Sequence, residues 1–469
     1  MKRYFLKILQ AQLAVSFLFI LVSGCSPCNG IQLVSESHQP LANNVLTQKF
    51  KIICNKKADI FIRYREIGDT AKTYSTAVST NEKEHFFSLL YLKPSKAYAY
   101  EIVSTQKECG STLIGKGNFN TKEVPPGIEE MIMPAEIQQS LPDKFSNGFV
   151  LVARRDLPGQ MYIVDAKGNI VWYYSIRNAG FKVAHFTKKE TILSLIAPLS
   201  YPTSYGDEIL EVSLTGDTVF HLKKGEKGLD KTIHHDIFYN ASDQLVTLTL
   251  EKKVFDLSRV GGAKADTITG DGILVLDKDG NKVWSWSVFD VTDPLTDPNI
   301  LKDKTDWLHA NSLSIDKDGN YLLSFYLSGQ IWKIDAKTGK LIWKMGRGGD
   351  FSFPKAGQFS ESHAVHRTLN NQLMLFENGV SKKQSSVLAY TLDEAGRKAS
   401  LDLSVALPVN LYSERMGSAY WVGDTSILVC SSQAYSVSLL GKTGEILWRI
   451  RTGFIPYRAE FIDRLPLHP

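Results

Sequence analysis

Ile331-Trp332-Lys333-Ile334-Asp335-Ala336-Lys337-Thr338-Gly339-Lys340-Leu341-Ile342-Trp343 reads as a strand, a turn at or near its glycine, and a second strand that carries a tryptophan. The same Asp-x-x-Gly-x-x-x-Trp pattern, or a close variant, recurs at Gly168/Trp172, Gly280/Trp284 and Gly444/Trp448. A degenerate copy stands at Gly216/Phe220 and a weaker one near Gly396. Successive glycines are 48, 64, 59, 57 and 48 residues apart. A strand hairpin repeated at such a period is the mark of a propeller, because each sheet buries its faces only against its neighbours. The expectation is therefore an all-β chain whose residues 130–469 form a six-bladed β-propeller, with seven or eight blades if divergent copies hide others. The repeated tryptophans are expected to pack between blades rather than touch a ligand.

Upstream of the repeats, residues 31–124 alternate short apolar runs with turns: Phe50-Lys51-Ile52-Ile53, Ile60-Phe61-Ile62-Arg63-Tyr64, His85-Phe86-Phe87-Ser88-Leu89-Leu90 and Tyr98-Ala99-Tyr100-Glu101-Ile102. Spacing of this kind predicts a small β-sandwich. Leu92-Lys93-Pro94-Ser95-Lys96-Ala97-Tyr98-Ala99-Tyr100 and Phe119-Asn120-Thr121 resemble fibronectin type III modules, and Pro125-Pro126-Gly127 makes a boundary. Ahead of the sandwich, Lys2, Arg3 and Lys7 precede Leu13 to Val22, a run apolar except for Ser16. That run is too short to span a bilayer and reads as an export signal. Its ending, Val22-Ser23-Gly24-Cys25, resembles the lipobox of bacterial lipoproteins. The resemblance implies that residues 1–24 are removed, that Cys25 is lipidated and that 25–30 form a tether. The protein is then expected to be exported and held to the membrane of the bacterial cell envelope, on the periplasmic side or at the surface.

The balance of 54 basic against 49 acidic side chains, with no basic block beyond the first residues, argues against a nucleic-acid partner. Export gives the other cysteines a meaning, since thiols outside the cytoplasm tend to pair. Cys54 and Cys109 share the sandwich segment and are the expected bridge, Cys28 lies in the tether, and Cys430 lies in an apolar strand. No CxxC pair with a matching histidine pair exists, so a structural zinc is not expected.

Histidine is scarce, ten in all, and three recur at one place in the repeat. His235 precedes Leu245 by ten residues and His363 precedes Leu373 by ten. His309 precedes Leu322 by thirteen, the excess of three falling in the turn Asp316-Lys317-Asp318-Gly319. Early strands of propeller blades line the central channel, so these imidazoles should converge on the axis. Ser418 holds the corresponding offset before Leu428, and His234 and His366 flank the candidates. His38, His85, His185, His221 and His468 share no such offset and read as incidental. Three histidines suffice for a catalytic zinc, but only Asp236 and Glu361 stand near them as carboxylates. The other chemistry is nucleophilic attack on an anionic ester, one imidazole attacking while the others donate to oxygens where charge develops.

Ile233-His234-His235-Asp236, Asp306-Trp307-Leu308-His309-Ala310-Asn311-Ser312, Phe359-Ser360-Glu361-Ser362-His363 with Leu375-Phe376-Glu377-Asn378-Gly379, and Tyr457-Arg458-Ala459-Glu460 resemble the bacterial arylsulfate sulfotransferases. The resemblance implies transfer of a sulfuryl group from a phenolic sulfate ester to a phenol acceptor, carried on a histidine and independent of a nucleotide sulfate donor. By position, His363 is then the nucleophile, and His235, His309 and Asn311 bind and polarise the sulfate oxygens. No metal or organic cofactor is implied. The family's arginine in the strand after the Trp-Leu-His-x-Asn motif is replaced here by Tyr326, with Arg347 and Arg367 as candidates to compensate. Tyr326 and Ser418 complete the expected substrate-binding set. The competing readings are a non-catalytic tethered propeller that binds sulfated or phenolic ligands, a quinone-cofactor dehydrogenase, and an envelope scaffold.

Overall fold

Each repeat glycine joins two antiparallel neighbours in the computed structural model, which describes residues 30–69, 72–106, 110–198, 200–201, 204–354 and 357–466. Gly339 lies between strands Gln330–Ile334 and Leu341–Gly346, and Gly216 and Gly396 occupy the same place in their sheets. The pattern has a local cause. Asp165 Oδ1 accepts the N–H groups of Lys167 and Asn169, Asp277 Oδ1 those of Asp279 and Asn281, and Asp335 Oδ1 those of Lys337 and Thr338. Each aspartate thus folds the turn over its own carboxylate, and the glycine takes the left-handed conformation that closes it, φ +84° at Gly168 and +86° at Gly280.

Among the described residues, six sheets of four or five strands follow one another along residues 136–462. Their innermost strands are Gly180–Phe186, Ile233–Tyr239, Ala310–Ile315, Ser362–Arg367, Ser418–Val422 and Pro456–Ile462, and each touches the next until the ring closes. The chain is a β-propeller. Closure uses both ends of the domain: Pro456–Ile462 pairs with Phe149–Arg154 as the inner strand of the first blade, and Glu136–Ile137 adds to the outer edge of Ile446–Arg451 in the last. Both latches remove free strand edges.

The tryptophans join blade to blade. The buried indoles of Trp172, Trp343 and Trp448 donate to Leu214 O, the Glu394 carboxylate and Ala166 O in the outer turn of the adjoining blade, at 2.9, 3.0 and 2.8 Å. In the third blade this bond falls to Trp286, which donates to Gly339 O at 2.9 Å. The motif residue Trp284 packs on Tyr321 instead, at 5.6 Å between ring centroids. Residues two apart share a strand face, so Trp286 reaches the adjoining turn from the same side as the motif position.

In the N-terminal region one long strand, Asn44–Glu66, serves two layers. Its first half pairs with Leu33–Leu41 and Ser79–Leu89, its second with Ala97–Gln106 and Tyr74–Ser75, and the register breaks between Ile53 and Ala58. Phe50, Ile52, Ile60, Ile62, Leu89 and Phe119 fill one core between the layers. Cys54 continues the inward register of Phe50 and Ile52 and is a free, buried thiol that packs as a small apolar side chain. The expected Cys54–Cys109 bridge involves Cys109, which lies outside the described residues, as do Cys25 and Cys28. The sandwich is docked on the propeller by Leu46, which joins the propeller core, and by the Val45 N–H, which donates to Tyr173 Oη at 2.8 Å.

Candidate active site

The channel strands are not regular. Register slips fall between His234 and Ile237, Ala310 and Ser312, His363 and His366, and Pro456 and Ala459. Left-handed backbone appears beside them at His235, His309 and Ala364, with φ of +58°, +57° and +52°. A β-bulge releases residues from the ladder and re-aims their side chains, which costs backbone strain of about 1–3 kcal/mol at a non-glycine position. The consequence is that neighbouring residues face opposite ends of the channel. His235 and His363 line one cavity, while Asp236 and His366 line another.

The first cavity, about 600 Å³, brings the three repeat histidines together. Ring centroids of His235 and His309 are 5.1 Å apart, and Tyr326 lies between the other two, 5.9 Å from His309 and 5.4 Å from His363. Their protonation states differ for reasons visible in the hydrogen bonds. Asn378 Nδ2 donates to Ser413 O and Met416 O, both at 2.8 Å, so its Oδ1 is left to accept from His363 Nδ1 at 2.7 Å. That assigns the Nδ1–H tautomer and leaves Nε2 of His363 with its lone pair, which the Met416 N–H approaches at 3.2 Å. Burial holds His363 in the free-base form, its pKa lowered to about 3. Burial likewise keeps His235 far below the usual imidazole range. His309 behaves oppositely: burial opposes its charge, but the Asp306 carboxylate on Nδ1 at 2.7 Å outweighs that and raises its pKa.

The remaining expected residues are placed as follows. Tyr326 lines the cavity, and its hydroxyl donates to Glu414 O at 2.9 Å. Asn311 does not face the cavity; its Nδ2 donates to Ser362 O at 2.8 Å and steadies the backbone just ahead of His363. Ser418 is also withdrawn, accepting from the Ala459 N–H at 3.3 Å, because Met416 and Gly417 turn the chain into the channel above it. Arg367 is bound to Asp316 by Nε and Nη2 at 2.8 and 2.9 Å, and Arg347 lines a different cavity, so neither compensates for the missing arginine.

Arg155 brings a cation to the histidine cavity, and the sequence reading missed it. It lies in the histidine cavity at 5% exposure, touches Met416 Sδ through Nη1 at 2.9 Å, and its Nε has no hydrogen-bond partner among the described residues. Desolvation pushes its pKa down, as expected of a buried cation short of counter-charge. Arg155 follows the strand Phe149–Arg154, which is second in its blade because the C-terminal strand displaces it from the axis, so no repeat offset marked it. A weak sign was Gly180: a Cβ there would come within 1.8 Å of Arg155 O.

The second cavity, about 280 Å³, lies at the other end of the channel and is lined by His185, Asp236, His366, Tyr420, Arg458 and Glu460. Its charges are paired. His185 lies between the Glu460 carboxylate and Asp236, the latter at 3.1 Å, and Arg458 Nη1 meets Asp236 at 2.8 Å. His185, expected to be incidental, thus joins three strands. Among the described residues no group of three or more His, Cys, Asp or Glu side chains is disposed to hold a metal ion.

The fold and this site define a β-propeller with a histidine-lined cavity on its axis. The family model described as Arylsulfotransferase (ASST) matches residues 135–449, and the chain belongs to that family, the aryl-sulfate sulfotransferases acting on small phenolic substrates. The match covers the propeller and leaves the sandwich outside it. No curated protein matches the sequence. Among solved structures, a protein of unknown function from Bacteroides caccae is similar at 11% identity over 68% of this chain and 100% of its own, with a TM-score of 0.45. A streptogramin B lyase is similar at 10% identity over 68% of this chain and 99% of its own, TM-score 0.31. The virginiamycin B lyase of Staphylococcus aureus gives 10% identity, the same coverages and a TM-score of 0.32.

Proposed function

We propose that the protein transfers a sulfuryl group from a phenolic sulfate ester to a phenol through a sulfohistidine on His363, with no nucleotide donor. The observation that carries this reading is the tautomer of His363, a buried imidazole whose Nε2 lone pair faces the cavity because Asn378 takes the Nδ1 proton. Nε2 forms the N–S bond as the ester S–O bond breaks and the donor leaves as a phenolate. The protonated imidazole of His309 and the guanidinium of Arg155 donate to the sulfuryl oxygens, where charge-assisted bonds are strongest. The Met416 N–H, which donates to Nε2, is released by N–S bond formation to turn to a sulfuryl oxygen. An acceptor phenol next attacks sulfur as its proton passes, directly or through water, to the released phenolate, the N–S bond breaks, and His363 returns as the free base. Arg155 supports turnover over mere binding, since it restores the cation that Tyr326 lacks. The proposal includes export and anchoring to the cell envelope through lipidated Cys25.

The test is to incubate the protein with 4-nitrophenyl sulfate in the absence of acceptor, digest it and map the sulfuryl mass by peptide sequencing. The adduct is expected on His363, with nitrophenol released in one stoichiometric burst and parallel double-reciprocal plots once a phenol is supplied. An adduct on another residue, or intersecting plots, overturns the assignment.

A further inference from the structure

Behind His235, on the side away from the cavity, stands a buried pair that the transfer chemistry above does not use. His234 Nδ1 and His235 Nδ1 share a hydrogen bond of 2.7 Å, their rings nearly perpendicular at 87°. His234 Nε2 has no hydrogen-bond partner among the described residues, and it points at Asp271 Oδ1, 3.5 Å away. Asp271 is on strand Asp266–Leu276, and its other oxygen accepts the Ala310 N–H at 2.9 Å. All three side chains are at most 4% exposed. Carboxyl, imidazole and imidazole therefore form one file, and only its last nitrogen, His235 Nε2, is left for the cavity.

We propose that Asp271 and His234 are a proton relay behind His235, delivering a proton to the departing phenolate and taking one from the acceptor phenol. The proposal rests on the two-step transfer above. In the resting state Asp271 is a carboxylic acid whose Oδ1 faces the bare Nε2 of His234 across 3.5 Å, His234 Nδ1–H donates to His235 Nδ1, and His235 Nε2–H faces the cavity. When the donor's S–O bond breaks, that Nε2 proton passes to the phenolate oxygen, the His234 proton moves to His235 Nδ1, and the Asp271 proton moves to His234 Nε2. Asp271 is left as the carboxylate and His235 Nε2 as a bare base. The acceptor phenol then gives its proton to His235 Nε2 as its oxygen attacks sulfur, and the three shifts reverse. One proton is lent and returned per cycle, and no other co-reactant is needed.

The surroundings suit a carboxyl that can hold or release a proton near neutrality. Burial raises Asp271 to about 7, and it faces His309 and Asp306 from the loop ahead of the fourth blade and Glu251 from strand Leu245–Phe255. Burial also lowers His234 to about 4, so it passes protons without keeping a second one. The tyrosine ring of Tyr205, 5.7 Å from His234, covers the pair from water.

The experiment uses two variants, Asp271→Asn, which keeps an oxygen for the Ala310 N–H but cannot exchange a proton, and His234→Gln. Each is assayed in steady state with 4-nitrophenyl sulfate and a series of substituted phenols of rising pKa, and by rapid quench for the adduct. Nitrophenolate leaves without a proton, so adduct formation is expected to stay within about twofold of the parent. Transfer to electron-rich phenols should fall by about 10²-fold or more, and transfer to acidic phenols by less than about threefold, since general-base help is needed only by the former. A loss that is the same for every acceptor, or no loss in either variant, overturns the relay. If no adduct is seen in the parent protein, the sulfohistidine reading fails, and the slope against acceptor pKa still decides the relay.

Discussion

The two ends of the propeller channel are built from the same strands and differ in whether their charges are satisfied. At the rear, Arg458 meets Asp236, and His185 is held between Asp236 and Glu460. At the front, Arg155 has a thioether and no carboxylate, and the unprotonated Nε2 of His363 is met only by the Met416 N–H. A buried polar group with its partners stabilises a fold, whereas one without them is destabilising until a ligand supplies them. The rear therefore reads as the clasp and the front as the site. A channel of one sequence origin can hold both because bulges send His235 and Asp236, or His363 and His366, in opposite directions.

The sharpest break in the comparison is His363→Ala. Loss of the nucleophile should lower kcat by at least about 10³-fold while leaving the Tm within a few degrees, checked by turnover of an aryl sulfate and by calorimetry. An unchanged rate would move the site away from the front. Arg155→Met and Arg458→Met then form a matched pair. The first should cost about 10²- to 10³-fold in kcat/KM with little change in stability, because no carboxylate loses a partner. The second strands Asp236 in the interior and should destabilise the protein by about 3–5 kcal/mol, read by denaturant unfolding. Equal stability losses would erase the distinction between clasp and site.

Acidity separates the two ends as well. Burial alone would lower His185, but Glu460 and Asp236 overcome it and raise the group to about 9. A histidine raised above its unfolded value, about 6.5, contributes stability fully below that pH and loses it as pH rises through about 9. His363 has the opposite sign: lowered to about 3, it costs increasing stability as pH falls from 6.5 toward 3, and its free-base form persists through the neutral range. The Tm should therefore decline from pH 6.5 to 9, and His185→Gln should flatten that decline while leaving the His363 adduct intact. A decline of the same steepness in the variant would place the titrating group elsewhere. The smallest effect belongs to Tyr326→Phe. Its hydroxyl is engaged with Glu414 O, so kcat/KM should fall by no more than about tenfold; a larger drop would mean that the hydroxyl turns to the sulfate during the reaction.

What was legible in the chain was whatever repeats or folds locally. The Asp-x-x-Gly turns announced themselves because a carboxylate and a left-handed glycine make the hairpin without help from the rest of the molecule. The matching offsets of His235, His309 and His363, equal once the three extra residues of the fourth blade's turn are allowed for, marked the axial cavity for the same reason, since equal positions in successive blades converge. Asn311 and Ser418 carried the right offsets or motif and were still placed away from the cavity, because one amide was taken by Ser362 O and one hydroxyl by the Ala459 N–H. Those bonds cross between blades and leave no trace along the chain.

The sequence by itself determined the all-β repeat and the meeting of His235, His309 and His363 in one cavity, both of which depend on spacing within the repeat. Tertiary structure alone decided the rest. Pro456–Ile462 displaces Phe149–Arg154 from the axis and so brings Arg155 into the cavity from outside the repeat. Bulges set which end of the channel each side chain faces, burial keeps His363 a free base, and against burial the Asp306 carboxylate raises the pKa of His309. The physical reason is common to these outcomes: ring closure, side-chain direction and protonation depend on groups distant in sequence, and only the folded ring brings those groups together.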